Sequence, residues 1–533
     1  MLVGGDWLTP HLDFARFLDK PPLGYWLIAL SYMAFGVSEF SAHLPIALAA
    51  LRGVLTTRSI GRDLFGEKAG LLAALVLLSS FGYFIFSRQV LPDPLFSCFT
   101  TVSFFCFFRS FGKSRHRRWY GLLLYTSLAL AVLTKGLLGL FPLFVIGTYL
   151  LFAGKLHYFR DMTTLWGSML FLILTVPWHL SMAWQHTGFL WYYFINEQFL
   201  RFLGRRDPID YTTLPVPVFL AILLLWLVPW SAYLPLAVQT HLRRGKKNRG
   251  RMEHGGFLVL LWAGAILGFF SLSRARLHQY LLPAMPALAL LFGKSFADRI
   301  TGEGGPTRGP LMLNTVAVLV LVLALALYLV PAHVAREESL GLPAEALSLA
   351  PAFLISILAG SILGALAFSR RYWMLGLPGL LCSMFAVFTV AHQGLILLEP
   401  LQSSRPLAEL IERERQPGEK IVLEAEPDGP FEYEEVAGLA FYTGQKIYLL
   451  RRKNPPKPPL PWTPEERFVL SEAEFYRLWQ AADRVYLVTN ASPDGAGVLE
   501  RQATTVVVGY VGDRYVLSNH AAATSTPQLF NSR

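Results

Sequence analysis

The chain alternates long apolar runs with short polar breaks. Twelve runs approach the length needed to span a bilayer, about 20 residues each; they lie near 41–58, 69–87, 91–109, 119–135, 137–154, 164–184, 214–238, 256–273, 279–296, 312–331, 350–368 and 372–393. After residue 398 charged residues return, and a different pattern begins. It predicts helices over 404–415 and 434–442, strands over 420–424, 446–450, 484–489, 504–510 and 514–518, and a capping box at Ser471 and Glu474 opening a helix that ends near Ala482. The fold expected is a polytopic α-helical membrane domain over 1–398, a small α/β domain over 399–520 and a polar, disordered tail over 521–533. No internal repeat is visible, which argues against transporter folds built from two related halves.

Composition agrees with the pattern. The chain is 53% hydrophobic and 16% charged, against about 25% charged in soluble proteins. Its net charge of +11 does not point to nucleic acid, because the basic residues sit in every second loop. These are the loops with Arg58, Arg62 and Lys68, with Arg109 to Arg118, with Lys155 and Arg160, with Arg243 to Arg251, with Lys294 to Arg308, and with Arg370 and Arg371. That alternation places them in the cytoplasm and the intervening loops, the first stretch and the tail domain outside. Cys98, Cys106 and Cys382 lie in apolar runs without metal-ligand spacing and read as small core hydrophobes.

The first thirty residues differ in kind. Asp6, Asp13, Arg16, Asp19 and Lys20 rule out a spanning helix, and the stretch lacks the features of a signal peptide. Asp19-Lys20-Pro21-Pro22 predicts a stiff, extended corner carrying two opposite charges beside Tyr25 and Trp26. The other outward loops also bring charges to membrane depth: Arg88 to Asp93, Lys135 in a tight turn, Tyr192, Glu197 and Arg201 in the long loop 185–213, and Arg274, Arg276, His278 and Tyr280. Such charges are functional candidates, although each alone reads equally as a snorkelling side chain at a helix end. No nucleophile–base pair or metal cluster stands out in the tail domain, where Asn490-Ala491-Ser492 is a weak sequon followed by Pro493.

Taken in order, Gly5-Asp6-Trp7-Leu8-Thr9-Pro10-His11, Asp19-Lys20-Pro21-Pro22-Leu23, Leu91-Pro92-Asp93, Leu133-Thr134-Lys135-Gly136, Pro177-Trp178, Glu197 with Arg201-Phe202, and Ser273-Arg274-Ala275-Arg276 resemble the lipid-linked glycosyltransferases of the protein O-mannosyltransferase superfamily. The likeness is greatest to the branch containing the aminoarabinose transferase that acts on lipid A, enzymes of the GT-C type. The resemblance implies transfer of a sugar from a polyprenyl-phosphate donor to a lipid, glycan or protein acceptor on the outer face of a bacterial cytoplasmic membrane. It implies membrane lipids as surroundings and no nucleic-acid partner. Lys20, Arg201, Arg274 and Arg276 are the candidates for the phosphate, Asp93 and then Asp19 for the catalytic carboxylate, and Arg88, Lys135, Glu197, Tyr25, Tyr192 and Tyr280 for the lining of one site. A leaving phosphate needs cations, and a hydroxyl acceptor needs a base.

The sequence departs from that family in two ways. Gln198 stands where the branch has a histidine implicated in metal binding, so a metal would keep only Asp19 of that set. The family's leading acidic motif and the helix before it are expected upstream of Met1, on about 25–50 further residues; without them the chain as given is expected to be nearly inactive. Two other classes stay open: a lipid or sugar transporter or flippase, and an inactive relative.

Overall fold

The computed structural model describes residues 1–2, 4–13, 15–111, 115–158, 164–207, 213–245, 251–302, 348–369, 372–424, 433–451, 468–481, 483–490, 505–512 and 514–520. Most of the chain is a helical bundle. A short hairpin, β1 (His11–Leu12) and β2 (Ala15–Arg16), leads to α1 (Leu23–Phe35), α2 (Glu39–Phe65), α3 (Glu67–Leu78), α4 (Phe81–Phe86), α5 (Pro92–Phe111), α6 (Arg117–Lys135), α7 (Phe141–Phe152) and α8 (Thr164–Gln185). The bundle continues with α9 (Val216–Trp226), α10 (Leu234–Gly245), α11 (Arg251–Leu272), α12 (Met285–Ile300), α13 (Ala350–Ser369) and α14 (Trp373–Gln402). Among the described residues seven stretches are long and apolar enough to cross a membrane, and an eighth if a bent pair counts as one. The run expected at 312–331 lies outside the described residues.

One of the seven, Arg117–Phe152, has 36 residues, about 54 Å if straight and too long for one crossing. The chain folds back there. A Cβ on Gly139 would lie 2.2 Å from the Val132 nitrogen. Tyr149 packs on Phe107 and Phe111 at one end of α5, whereas Lys135 meets Asp93 at the other. So α6 and α7 run in opposite directions, as the tight turn predicted. Two other expected spans are interrupted. The run 69–87 breaks at Ser79-Ser80 between α3 and α4, and α9 bends by 104° into the helix that follows it. The two breaks satisfy each other: Phe81 N donates to Val228 O (3.2 Å) and Trp230 Nε1 donates to Ser79 Oγ (3.1 Å). Helix breaks inside an apolar bundle require such partners. Small residues let helices approach closely elsewhere; a Cβ on Gly293 of α12 would meet the Ala69 carbonyl of α3 at 2.5 Å.

The bundle has two unlike ends. Arg58, Glu67, Asp63 and Arg109 pair with one another at one end. The other carries the hairpin, α1, the start of α5 and the loop after α8. The stretch 23–35, which the charge pattern did not mark as an element, is a 13-residue helix that begins directly after the prolines. Pro22 already has helical dihedrals as its N-cap (φ −82°, ψ −17°), so the expected extended corner ends one residue earlier, at Pro21. Cys98 and Cys106 are buried as expected, but Cys382 is exposed on α14 and is not a core residue.

The tail forms a six-stranded sheet ordered β5-β4-β3-β6-β8-β7, with β3 (Lys420–Glu424), β4 (Ile447–Leu450), β5 (Val469–Leu470) and β6 (Val485–Thr489) parallel. The hairpin β7 (Val506–Val511) and β8 (Arg514–Ser518) adds antiparallel to β6. Helices α15 (Arg405–Glu412), α16 (Tyr433–Thr443) and α17 (Glu472–Trp479) cover it, and the expected capping box at Ser471 and Glu474 opens the last. The N-terminal hairpin is stapled to this sheet. Ala15 is buried in its core cluster, and Asp13 Oδ1 accepts from the Ile447 amide at 2.8 Å. Asp13 holds the turn with a left-handed φ of 48°. Its other oxygen is buried without a partner, and burial raises its pKa to about 7 against the Ile447 amide and Lys446.

Candidate functional site

Apolar anchors on both sides fix the Asp19-Lys20 corner. Leu18 and Leu23 are buried with Leu133, Trp178, Met182, Phe189, Tyr192 and Tyr193. Two tryptophans hold the chain before the corner: Trp178 Nε1 donates to Leu8 O (2.9 Å) and Trp26 Nε1 to Trp7 O (2.7 Å). His186 ties in both arms of the loop. Arg16 Nη1 lies 3.2 Å from Nδ1, which must accept, so Nε2 carries the proton and donates to Thr9 Oγ1 at 3.0 Å.

The loop after α8 supplies the partner surface. Residues Trp191–Leu200 form a π-helix, a form common at functional sites. It turns Tyr192, Tyr193, Asn196 and Glu197 inward. Asn196 clasps the Asp207 backbone from both sides, Nδ2 to O at 2.6 Å and N to Oδ1 at 3.0 Å. That clasp folds the chain back so that Arg206 enters the site.

Five charges meet there. Glu197 Oε1 accepts from Lys20 Nζ (2.5 Å) and Arg201 Nη1 (2.9 Å), and Oε2 accepts from Arg206 Nε (2.6 Å) and Arg201 Nη1 (3.1 Å). Arg206 Nη2 donates to Asp19 Oδ2 (2.7 Å) and to the Tyr192 hydroxyl oxygen (2.9 Å), and that hydroxyl donates to Asp19 Oδ1. Burial pushes the Glu197 pKa up, but Lys20, Arg201 and Arg206 outweigh it and bring it down to about 2. Burial likewise lowers the Lys20 pKa, and Glu197, working against Arg201, carries it above the ordinary lysine value. Burial and Asp19 raise the Tyr192 pKa far above the tyrosine range, so this hydroxyl stays a donor.

A second ion pair adjoins the first. Asp93, at the start of α5, is buried and accepts from Lys135 at the end of α6. Lys135 Nζ sits 4.5 Å from the Tyr280 ring centroid, and Tyr280 also lies within electrostatic range of Lys20. Gly136 closes the seam: its φ of 69° and ψ of −145° suit glycine, and a Cβ would come within 2.7 Å of Gln198 Nε2. Asp19, Lys20, Asp93, Lys135, Glu197, Arg201, Tyr192 and Tyr280 thus come together, although drawn from five separate segments. Tyr25 on α1 lies near enough to Asp19 to feel its charge.

The remaining candidates are placed differently. Arg276 donates through Nε to Leu214 O (2.5 Å) and through Nη1 to Ser273 O, and so ties loop backbones together. Arg274 is exposed; its backbone bridges Phe202 and Thr213. Arg88 is exposed and lies 3.7 Å over the Phe84 ring. Arg206, one of the charges in loop 185–213, is not among the site candidates named from the sequence. Its neighbour Arg205 is of the same type, and only the Asn196 clasp, invisible locally, selects which of the two turns inward.

These residues do not fit a divalent metal. Both oxygens of Asp19 and both of Glu197 are engaged by Tyr192 and by cationic side chains, and Gln198 offers only an amide. No group of three or more His, Cys, Asp or Glu side chains that could hold a metal occurs among the described residues. An arginine guanidinium stands between the two carboxylates instead.

The site thus gathers cations and carboxylates at one end of a helical bundle, beside a small α/β domain. Residues 19–181 match the family described as dolichyl-phosphate-mannose-protein mannosyltransferase. An undecaprenyl phosphate-alpha-4-amino-4-deoxy-L-arabinose arabinosyl transferase of Edwardsiella ictaluri is 30% identical over 387 residues, covering 70% of this chain and 67% of that protein. A protein of the same name from Pseudomonas aeruginosa strain LESB58 is 31% identical over 343 residues; the match covers 63% of this chain and 61% of that relative's length. The crystal structure of ArnT from Cupriavidus metallidurans bound to undecaprenyl phosphate superposes with a TM-score of 0.77 at 22% identity, over 99% of this chain and 93% of that one. The chain belongs to the family of membrane glycosyltransferases that includes these aminoarabinose transferases.

Proposed function

We propose that the protein transfers a sugar from a polyprenyl phosphate to an acceptor at the outer face of the bacterial cytoplasmic membrane. The observation that carries this reading is the junction at Tyr280 of a cation cluster, Lys20 with Arg201, and a buried carboxylate, Asp93. The acceptor oxygen attacks the anomeric carbon as the bond from that carbon to the phosphate oxygen breaks. Lys20 and Arg201 take up the charge that develops on the departing phosphate. A hydroxyl acceptor gives its proton to the Asp93 carboxylate, held in place by Lys135; a phosphate acceptor, already ionised, needs no base. Asp19 is the second carboxylate in reach, and Arg206 and Tyr192 orient it. The curated relatives take undecaprenyl phosphate-linked 4-amino-4-deoxy-L-arabinose by name, which makes that the first donor to test.

The outer face is supported by charge: among the described residues Arg58, Arg62, Arg109, Arg117 and Lys155 lie at the opposite end of the bundle, as positive-inside orientation requires. Impermeant thiol reagent applied to spheroplasts should label a cysteine placed at Arg274 and not one placed at Lys113. The reverse labelling would overturn the orientation.

A further inference from the structure

The reading above needs a phosphate-binding site, and the structure already holds an anion there. Glu197 Oε1 accepts from the two cations assigned to the phosphate, Lys20 and Arg201. Its Oε2 accepts from Arg206, which Asp19 holds in turn, and at 3.1 Å from the same Arg201 Nη1. The burial of the cations divides the same way. The Arg206 side chain is 2% exposed, whereas Arg201 is 13% and Lys20 28% exposed. Lys20 and Arg201 are therefore the cations a ligand can reach, and Arg206, which holds Oε2 alone and not Oε1, is locked inside.

We infer that Glu197 is an internal substitute for the lipid phosphate, holding Lys20 and Arg201 before the donor arrives and reclaiming them to expel the polyprenyl phosphate after transfer. This rests on the transferase reading. Arg206 keeps the carboxylate in place throughout. Charge explains why the exchange runs in both directions. Among the described residues three cations, Lys20, Arg201 and Arg206, face two carboxylates, Asp19 and Glu197, which leaves one net positive charge in that set. A sugar-phosphate diester carries one negative charge and neutralises it. The phosphomonoester left after transfer carries about −1.5 to −2 at neutral pH, so it overfills the cluster and is repelled by Glu197. Removing the carboxylate charge leaves two net positive charges, matched to the product rather than to the donor.

The test is direct binding of undecaprenyl phosphate to the detergent-solubilised natural protein and to Glu197→Gln, together with donor kinetics. Glu197→Gln should bind the lipid phosphate at least about tenfold tighter, with a lower donor KM and a lower kcat because product leaves slowly. A glutamate that only braces the loop would give weaker binding instead. Unchanged or weaker binding by a folded, monodisperse variant overturns the inference. If Glu197→Gln does not fold, Glu197→Asp decides: it retracts the charge from Oε1's partners and should also bind tighter, and equal or weaker binding overturns the idea. Wild type that binds no polyprenyl phosphate would sink the transferase reading itself, whereas wild type that binds and a variant that binds no tighter sinks only this inference.

Discussion

Arg206 and Asp19 are 187 residues apart in sequence and meet through Nη2 and Oδ2 at 2.7 Å inside the site. The same guanidinium reaches Glu197 through Nε, so one side chain locks the first loop to the loop after α8. Arg206→Ala leaves two buried carboxylates short of a cation. Removing one partner of a buried pair costs about 3–5 kcal/mol, so the variant should lose thermal stability in detergent and most of its transfer activity. Arg206→Lys keeps the charge but cannot bridge both acids and should recover only part of either. Wild-type stability and activity in Arg206→Ala would show that the bridge carries no load.

Lys20 and Asp93 should separate kinetically. Lys20→Ala removes a charge-assisted partner of the donor phosphate, worth roughly 1.5–3 kcal/mol, and should raise donor KM by about tenfold or more. Asp93→Asn removes the base and should lower kcat by a factor on the order of 10²–10⁴ with a hydroxyl acceptor. Steady-state kinetics on both variants check the division of roles. Identical KM and kcat effects in the two would contradict it.

Gly136 offers a backbone test. Its dihedrals belong almost to glycine alone, and a Cβ would strike Gln198. Gly136→Ala should therefore lower activity by displacing the π-helical loop from Lys135, although it alters no charge. Gln198→Ala added to it should relieve the contact but not the dihedral strain, giving partial recovery in the same transfer assay.

Asp13 makes docking of the tail domain depend on pH. Its folded-state pKa of about 7 lies above the ordinary value of 3.8. Between those values the folded state binds the proton more strongly than the unfolded state does. Its contribution is therefore greatest below about pH 4 and is lost as pH rises to about 7. Glu197 acts in the opposite sense, but over lower pH, between its ordinary 4.5 and about 2. From pH 5 to 7 thermal stability should fall, and Asp13→Asn should flatten that slope. An unchanged slope in Asp13→Asn would contradict the assignment.

Much of this was readable in the residues because it is periodic or costly. The spanning runs follow from apolar length, and Lys20, Asp93, Lys135, Glu197 and Arg201 drew attention because charges at membrane depth need a reason. What escaped was set by long-range contacts. The helix at Leu23–Phe35 is too short to span, so apolar length does not mark it, although Gly36 (φ 79°) and the Ser38 capping box that follow it are local end signals. Tyr192, Tyr193, Asn196 and Glu197 are spaced i, i+1, i+4 and i+5, which an ordinary helix also gathers on one side; what the spacing does not show is that the stretch is π-helical. Asp13 finds Ile447 434 residues away, and nothing near Asp13 announces it.

The most direct test of the central claim is transfer itself. Membranes from cells carrying the natural gene are incubated with undecaprenyl-phosphate 4-amino-4-deoxy-L-arabinose labelled in the sugar, and the label is followed into the acceptor fraction for wild type, Lys20→Ala and Asp93→Asn. Wild type should move label and release undecaprenyl phosphate, Lys20→Ala should do so only at raised donor concentration, and Asp93→Asn should bind donor but transfer it far more slowly. Membranes that bind the donor yet never part it from its sugar, or variants that both transfer at the wild-type rate, would contradict the assignment of this site as the place of glycosyl transfer.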